Sequence, residues 1–454
     1  MKRKITTILV LITIIAALTL PILLTGCTPR ENVLKVYNWS EYIGEDVISQ
    51  FEEYYYEITG QKIKVKYDMF DENELMYAQI KTTQADYDVI CPSDYMVEKL
   101  IKENLLLKLA PDLNELGNFD EEIEDYRDGI SDLFKSGEDS YFKFDYDEES
   151  GEYNLYSRTY MTGTMGILYA VDSDLYENSS YGEYSSMQEY VEANGWAVLW
   201  DKAFDQNIMM KNSLRDSYAI GAIYTLLNER SKYYNPSLTP AQAQNATDDE
   251  TVKKIEEYLI NQKPIISGYE NDEGKELIIE GDIDLTLQWA GDAVYAMDSL
   301  QEELGITREL AYFVPYEGSN LFSDAWCIPK YAGNVTAANL WINFMCRPDI
   351  AIENMDYIGY TSGVATEEIY EYILDNWASD DEENAIKADL THFFGESCEF
   401  ADETGKVIVY IDEDDYNAFE AQFFSSEVLE RCAVMRDFGD RTSVMNRMWR
   451  NVKS

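Results

Sequence analysis

Between residues 33 and 102, short apolar runs alternate with helical stripes, and that rhythm constrains the fold more than any other feature of the chain. Leu34 and Val36 belong to a strand running into Trp39. From Glu45 to Thr59, Val47, Phe51, Tyr55 and Ile58 share one helical face, and Gly60 is placed to end that helix. Lys62 to Tyr67 alternates as a strand. Asp71-Glu72-Asn73-Glu74 has the spacing of a capping box and opens a helix through Leu75, Met76, Gln79 and Ile80. Tyr87 to Cys91 is a strand stopped by Pro92, and Ser93-Asp94-Tyr95 opens the next helix. This alternation predicts an α/β fold with a mostly parallel sheet covered on both faces.

At 454 residues the chain is long enough for two or three domains. An apolar fraction of 46% supplies a large core. The formal charge of −50 argues against nucleic acid, which requires a basic footprint, and fits attraction of cationic ligands. The single histidine, His392, gives triad chemistry and a His-rich metal site no support. The six cysteines contain no C-x-x-C pair, so no structural zinc site is expected, and most read as small core residues. No cofactor is expected.

The N-terminus has the pattern of a secretory signal: Met1-Lys2-Arg3-Lys4 is basic and Ile5 to Leu24 is apolar. Leu24-Thr25-Gly26-Cys27 resembles the bacterial lipobox, whose cysteine becomes the lipid-bearing first residue. Several acyl chains on Cys27 anchor stably, since each buried CH₂ contributes about 0.8 kcal/mol. The expectation is a signal peptide over 1–26, a tether over 27–32, and a protein held on the outer face of the cell membrane. No later apolar run approaches the ~20 residues of a spanning helix.

Two acidic stretches interrupt the α/β rhythm, at about 117–157 and 375–415. In the first, Phe142, Phe144 and Tyr146 alternate before Glu149-Ser150-Gly151, which predicts a β-hairpin. Asp145, Asp147 and Glu149 imitate the start of a calcium loop, but Ser150 stands where glycine is required and Tyr156 where the closing acid belongs. In the second, Asp402-Glu403-Thr404-Gly405 signals a hairpin turn between Phe400 and the run Val407 to Ile411. Elsewhere, Trp196 and Trp200 read as packing residues. Strands are expected at Ile283 to Leu287, Leu310 to Val314 and Asp324 to Ile328, and helices at Thr247 to Asn261 and Val335 to Cys346. A basic helix through Met445, Met448 and Val452 closes the chain.

Four strand ends put a carboxylate beside an aromatic ring: Trp39-Ser40-Glu41-Tyr42, Ser93-Asp94-Tyr95, Trp289-Ala290-Gly291-Asp292 and Phe322-Ser323-Asp324. In an open α/β sheet such ends share one edge, where ligands bind. Rings attract a cation and cover its hydrocarbon, while carboxylates take its ammonium groups. A slot of this kind suits a slim aliphatic polycation. A glycosidase-like enzyme is the weaker reading, because the carboxylates recur beside rings rather than as one pair.

The chain resembles the extracytoplasmic polyamine-binding proteins, for spermidine and putrescine, that feed ATP-driven importers. The resemblance rests on Val36 to Tyr42, Glu72 to Ala78, Tyr87 to Ser93, Trp196 with Trp200, Trp289 to Asp292, Phe322 to Asp324, Phe344 to Pro348 and Ile358-Gly359-Tyr360. It implies a two-lobed, periplasmic-binding-protein-like fold of type II, each lobe a mixed, mostly parallel sheet flanked by helices, here with inserted β-hairpins. Lobe one would comprise 33–162 and 323–368, and lobe two 163–322 and 369–454. The resemblance also implies a ligand site from Trp39, Ser40, Glu41, Tyr42, Ser93, Asp94, Tyr95, Asp216, Trp289, Asp292, Phe322, Asp324 and Tyr360. It implies a monomer that hands a polyamine to the membrane permease of an ABC importer. Asn212-Ser213-Leu214-Arg215-Asp216 departs from the spermidine-binding pattern, in which two acids stand near that helix start. The choice between diamine and triamine stays open. A protein of the same fold for a sugar or an amino acid derivative is the alternative.

Overall fold

The computed structural model describes residues 29–119, 121–137, 140–147, 149–302, 308–396 and 398–454. The signal segment, Cys27 and the first residues of the tether lie outside them.

The predicted rhythm appears twice. Val33–Trp39 pairs in parallel with Lys64–Phe70 on one side and Val89–Ile90 on the other. Later in the chain, Ile208–Lys211 pairs in parallel with Gly268–Glu270 and with Leu285–Trp289. Each triplet therefore has its first strand in the middle. Each is bordered by an antiparallel strand, Ser319–Pro329 beside Val89–Ile90 and Ser157–Ala170 beside Leu285–Trp289. These two long strands pair with each other from Leu321↔Thr164 to Cys327↔Ser157, which joins the triplets into one sheet. The likeness of the halves is topological; their sequences do not repeat.

Helices cover both faces of this sheet. Leu34 and Val36 enter one core and Tyr37 the other, as the two-residue period of a strand requires. Ser319–Pro329 is buried along its whole length, the signature of a strand covered on both sides. The first helix, Val47–Thr59, buries Val47, Phe51, Tyr54 and Tyr55 and ends at Gly60, whose φ of 66° is left-handed. Trp196 is fully buried and donates its indole N–H to the Gly318 carbonyl at 2.8 Å, and Trp200 donates to Tyr258 O at 2.9 Å. Both are core, as the sequence indicates. The closing helix, Thr442–Lys453, buries Met445, Met448 and Val452. Cys91, Cys327, Cys346 and Cys432 are buried free thiols.

The first acidic stretch turns back through an antiparallel bridge between Tyr146 and Tyr153, whose rings lie 4.7 Å apart. The Asp145 carboxylate accepts the backbone N–H groups of Leu155, Tyr156 and Ser157 at 2.9–3.1 Å, so its oxygens organise the turn. In the second stretch Asp402 and Lys406 close the expected turn. The strand beyond it, Ile408–Ile411, finds its partner in Ile386–Asp389 rather than around Phe400. A helical turn, Thr391–Phe394, stands between them.

One expectation about placement is corrected. Phe322-Ser323-Asp324 does not end a strand; it lies inside Ser319–Pro329, at an irregularity in pairing between Asp324 and Ala325. A run of eleven residues whose two faces are both buried has no period-two signal that would show its full extent.

Candidate functional site

The carboxyl ends of both parallel triplets supply the side chains of the site. From the first come Trp39 to Tyr42, Phe70 to Glu74 and Ser93 to Tyr95. From the second come Lys211 to Asp216, Glu270 to Lys275 and Trp289 to Asp292. The crossing strand Ser319–Pro329 adds Phe322 and Asp324, and Tyr360 follows the left-handed Gly359 that ends Pro348–Ile358.

Asp324 is at the centre. Its Oδ2 accepts the Tyr42 hydroxyl at 2.9 Å, and Ser93 forms an antiparallel bridge with it. The Tyr42 ring meets Tyr160 and Tyr360 edge-on, at 5.4 and 5.2 Å, and Tyr360 meets Phe322 at 6.1 Å. Gly291 lies directly under Tyr360: a Cβ there would fall 2.0 Å from Tyr360 Cδ2, so the ring seals against bare backbone. Ser93 is further held by Asn73, whose side chain contacts both its hydroxyl and its N–H and also donates to the Tyr95 hydroxyl at 3.0 Å. Trp39 packs on Phe70 at 4.5 Å, and Trp39 and Trp289 each touch both cores.

The site is acidic in a specific way. Burial pushes the Asp324 carboxyl up to about 7, against the Ser93 and Tyr42 hydroxyls, which favour its charged form. Burial raises Asp94 well above the usual carboxylate range, although the N–H groups of Tyr95 and Ser323 point at it. Burial also raises Glu74 and Asp216, opposed in both cases by Arg215. Arg215 lies over the Tyr95 ring at 4.0 Å and the Phe438 ring at 3.7 Å. The buried Asp324 Oδ1 and Trp39 Nε1 have no hydrogen-bond partner among the described residues, leaving one acceptor and one donor to be satisfied.

The end at Asp292 is different. Lys211, fully buried, lies 4.0 Å over the Trp289 ring and donates to the Asn271 carbonyl at 2.5 Å. It is 3.4 Å from Glu270 and 3.5 Å from Asp292. Lys275 stands 3.6 Å from Asp292 and 3.3 Å from Glu41, so Glu41 reaches from the first triplet to the second. Burial acts against the charged form of Lys275, but Asp292, Glu41 and Asp272 outweigh it and its pKa rises. Burial, with Asp292 adding to it, raises the Asp272 carboxyl to about 6.

The residues singled out from sequence thus form one connected group. Ser40 is at its margin, where its hydroxyl donates to Asp71 at 2.8 Å, and Glu41 is exposed. Sequence reasoning did not assign Lys211, Arg215, Lys275, Glu74 or Asn73 to the site. A signal for Lys211 was present: it is the charged last residue of the apolar run Ile208-Met209-Met210, at the same kind of strand end as Trp39.

Residues 46–385 match the family of bacterial extracellular solute-binding proteins. The chain belongs to this family. Among curated relatives, it is 27% identical to the spermidine/putrescine-binding periplasmic protein of Salmonella typhimurium over 72% of this chain and 77% of that one. It is also 27% identical to the putrescine-binding periplasmic protein SpuD of Pseudomonas aeruginosa over 73% of this chain and 78% of that one. Among solved structures, an ABC transporter protein of Listeria monocytogenes superposes with a TM-score of 0.64 at 23% identity, covering 93% of this chain and 99% of that one. The spermidine/putrescine substrate-binding protein PotD of Streptococcus pneumoniae superposes with a TM-score of 0.57 at 24% identity, covering 93% and 98%. The fold is the two-lobed periplasmic-binding-protein type, its two parallel triplets flanked by helices and joined into one mixed sheet through Ser157–Ala170 and Ser319–Pro329. No helix among the described residues is long and apolar enough to cross a membrane.

Proposed function

We propose that this protein captures a polyamine, putrescine and/or spermidine, between its lobes and delivers it to the permease of an ATP-driven importer. The observation that carries this reading is the group Glu74, Asp94, Asp216 and Asp324, four acids that burial holds toward their neutral forms, walled by Tyr42, Tyr95, Phe322 and Tyr360. A ligand ammonium stabilises the negative charge that burial disfavours in them. Charge-assisted hydrogen bonds of about 1.5–3 kcal/mol each, with cation–ring contacts of about 0.5–2 kcal/mol, are enough for micromolar binding, about −8 kcal/mol. The polyamine binding named for the two curated relatives supports the same ligand class.

In this reading the site comprises Trp39, Ser40, Glu41, Tyr42, Ser93, Asp94, Tyr95, Asp216, Trp289, Asp292, Phe322, Asp324 and Tyr360. The lobes comprise 33–162 with 323–368, and 163–322 with 369–454. The exchange of partners along Ser157–Ala170 supports that division: Ser157 to Thr164 pairs with the other crossing strand, and Met165 to Tyr169 with Leu285–Trp289. The protein acts as a monomer, binds without catalysis, and is tethered outside the cell membrane through lipid on Cys27.

A second reading is favoured by Arg215 and Lys275, which suit a carboxylate: an amino acid derivative carrying an amine at one end and an acid at the other. Calorimetric titration with putrescine, spermidine, a basic amino acid and a neutral sugar separates the two. Micromolar binding of either polyamine, with no heat from the sugar, is the expected outcome. Binding of the amino acid alone overturns the polyamine reading.

A further inference from the structure

We propose that Lys211 limits the number of ammonium groups the slot accepts, so that a two-amine ligand is preferred over a three-amine ligand. The inference rests on the polyamine reading and adds a determinant of ligand length and charge.

Lys211 already sets an ammonium between the Trp289 ring and two carboxylates, the partners an end group of a long polyamine needs. Its ammonium covers one face of Trp289 at 4.0 Å and lies 3.4 Å from Glu270 and 3.5 Å from Asp292. The side chain is fully buried, and its contact with the Asn271 carbonyl fixes it there. Lys275, 3.6 Å from Asp292 on its other oxygen, adds a second positive charge. Asp292 therefore meets two cations that belong to the protein. A third ligand ammonium arriving at Trp289 would meet like charge in a desolvated setting, where repulsion is strong. Around Asp324, Asp94 and Glu74 face Arg215, and Asp216, between the two ends, faces both Lys211 and Arg215. The unevenness leaves ammonium recognition concentrated around Asp324.

Position and chemistry distinguish Lys211 from a lysine that merely completes the core. It ends Ile208–Lys211, the central strand of its triplet, and its backbone carbonyl accepts the Ser217 hydroxyl at 2.6 Å. The carboxylates facing it come from two other elements, Glu270 at the end of Gly268–Glu270 and Asp292 in the first turn of Ala290–Glu302. Removing its charge leaves Glu270, and the Asp292 oxygen that Lys275 does not face, to be neutralised by the ligand instead.

The test is calorimetric titration of the full-length chain in detergent, as the unchanged protein and as Lys211→Met, with putrescine and spermidine. The unchanged protein is expected to favour putrescine at least tenfold. In Lys211→Met the spermidine-to-putrescine affinity ratio is expected to rise at least tenfold, and spermidine should raise the melting temperature of the variant more than that of the unchanged protein. Lys211→Gln, which keeps a donor for the Asn271 carbonyl, serves if the methionine variant misfolds. Lys211→Arg, which keeps the charge, is expected to hold the original preference. If amines bind but the ratio moves less than threefold on loss of charge, the role given to Lys211 is overturned while the polyamine reading stands. If neither amine binds any form, both fall.

Discussion

The Tyr42 hydroxyl donates to the Asp324 carboxylate at 2.9 Å across 282 residues of sequence. It joins the turn after the first strand to the middle of Ser319–Pro329. The acceptor is a buried acid whose pKa is about 7, so this bond ties a ring of the site to a group that titrates near neutrality. The acid and its wall of Tyr42, Tyr360 and Phe322 are one unit, and perturbing any of them should be felt at the ligand.

Asp324→Asn keeps the shape and the acceptor for Tyr42 but removes the charge. Putrescine or spermidine affinity should fall by about one to two powers of ten, since a charge-assisted bond contributes about 1.5–3 kcal/mol. The melting temperature without ligand at pH 8 should not fall, because a buried carboxylate is being replaced by a neutral amide. Titration and thermal melts of the two proteins give both numbers.

The raised carboxyls make binding depend on pH. With folded pKa values of about 7 for Asp324 and about 6 for Asp272, both above the ordinary range, these groups contribute stability that is complete below about pH 4 and is lost as pH rises through 6 to 7. A bound ammonium favours the ionised forms, so amine affinity should strengthen from pH 5 to pH 8 with release of protons. Calorimetry in two buffers of different ionisation enthalpy measures that release. A flat affinity over the same range would contradict the assignment of Asp324.

Gly291→Ala places a methyl group 2.0 Å from Tyr360 Cδ2. Tyr360 is fixed by Tyr42 and Phe322, so it has to leave its seat for the methyl to fit. Amine affinity should drop at least tenfold, while circular dichroism stays that of the folded protein. Unchanged affinity would mean that Tyr360 does not form the wall.

Trp196→Ala separates stability from binding. The ring is fully buried, and its N–H is satisfied by Gly318. A cavity of this size costs about 3–5 kcal/mol, so urea should unfold the variant at a distinctly lower concentration. Because the hydrogen-bond partners of Trp196, Glu317 and Gly318, are not residues of the site, ligand affinity measured at low urea should stay within about twofold.

Part of the site was written locally. Val33–Trp39, Val47–Thr59 and Asp94–Lys102 follow from period, capping and turn residues close in sequence. A strand that ends where a helix begins puts its last side chains at the ligand edge whatever the rest of the chain does. For that reason Trp39, Tyr42, Ser93, Trp289 and Asp292 could be picked out from residues alone, as could the core roles of Trp196 and Met445.

What only the tertiary structure decided is the charge each carboxylate meets. Glu41 faces Lys275 across 234 residues, and Asp292 faces Lys211 across 81. No local pattern encodes those pairs, because they form only when the two triplets are joined through Ser157–Ala170 and Ser319–Pro329. The same packing moved Phe322 and Asp324 from a supposed strand end into the middle of Ser319–Pro329. Periodicity reports which face of an element meets water, and a strand buried on both faces has none to report. Ionic partners are chosen by distance in three dimensions.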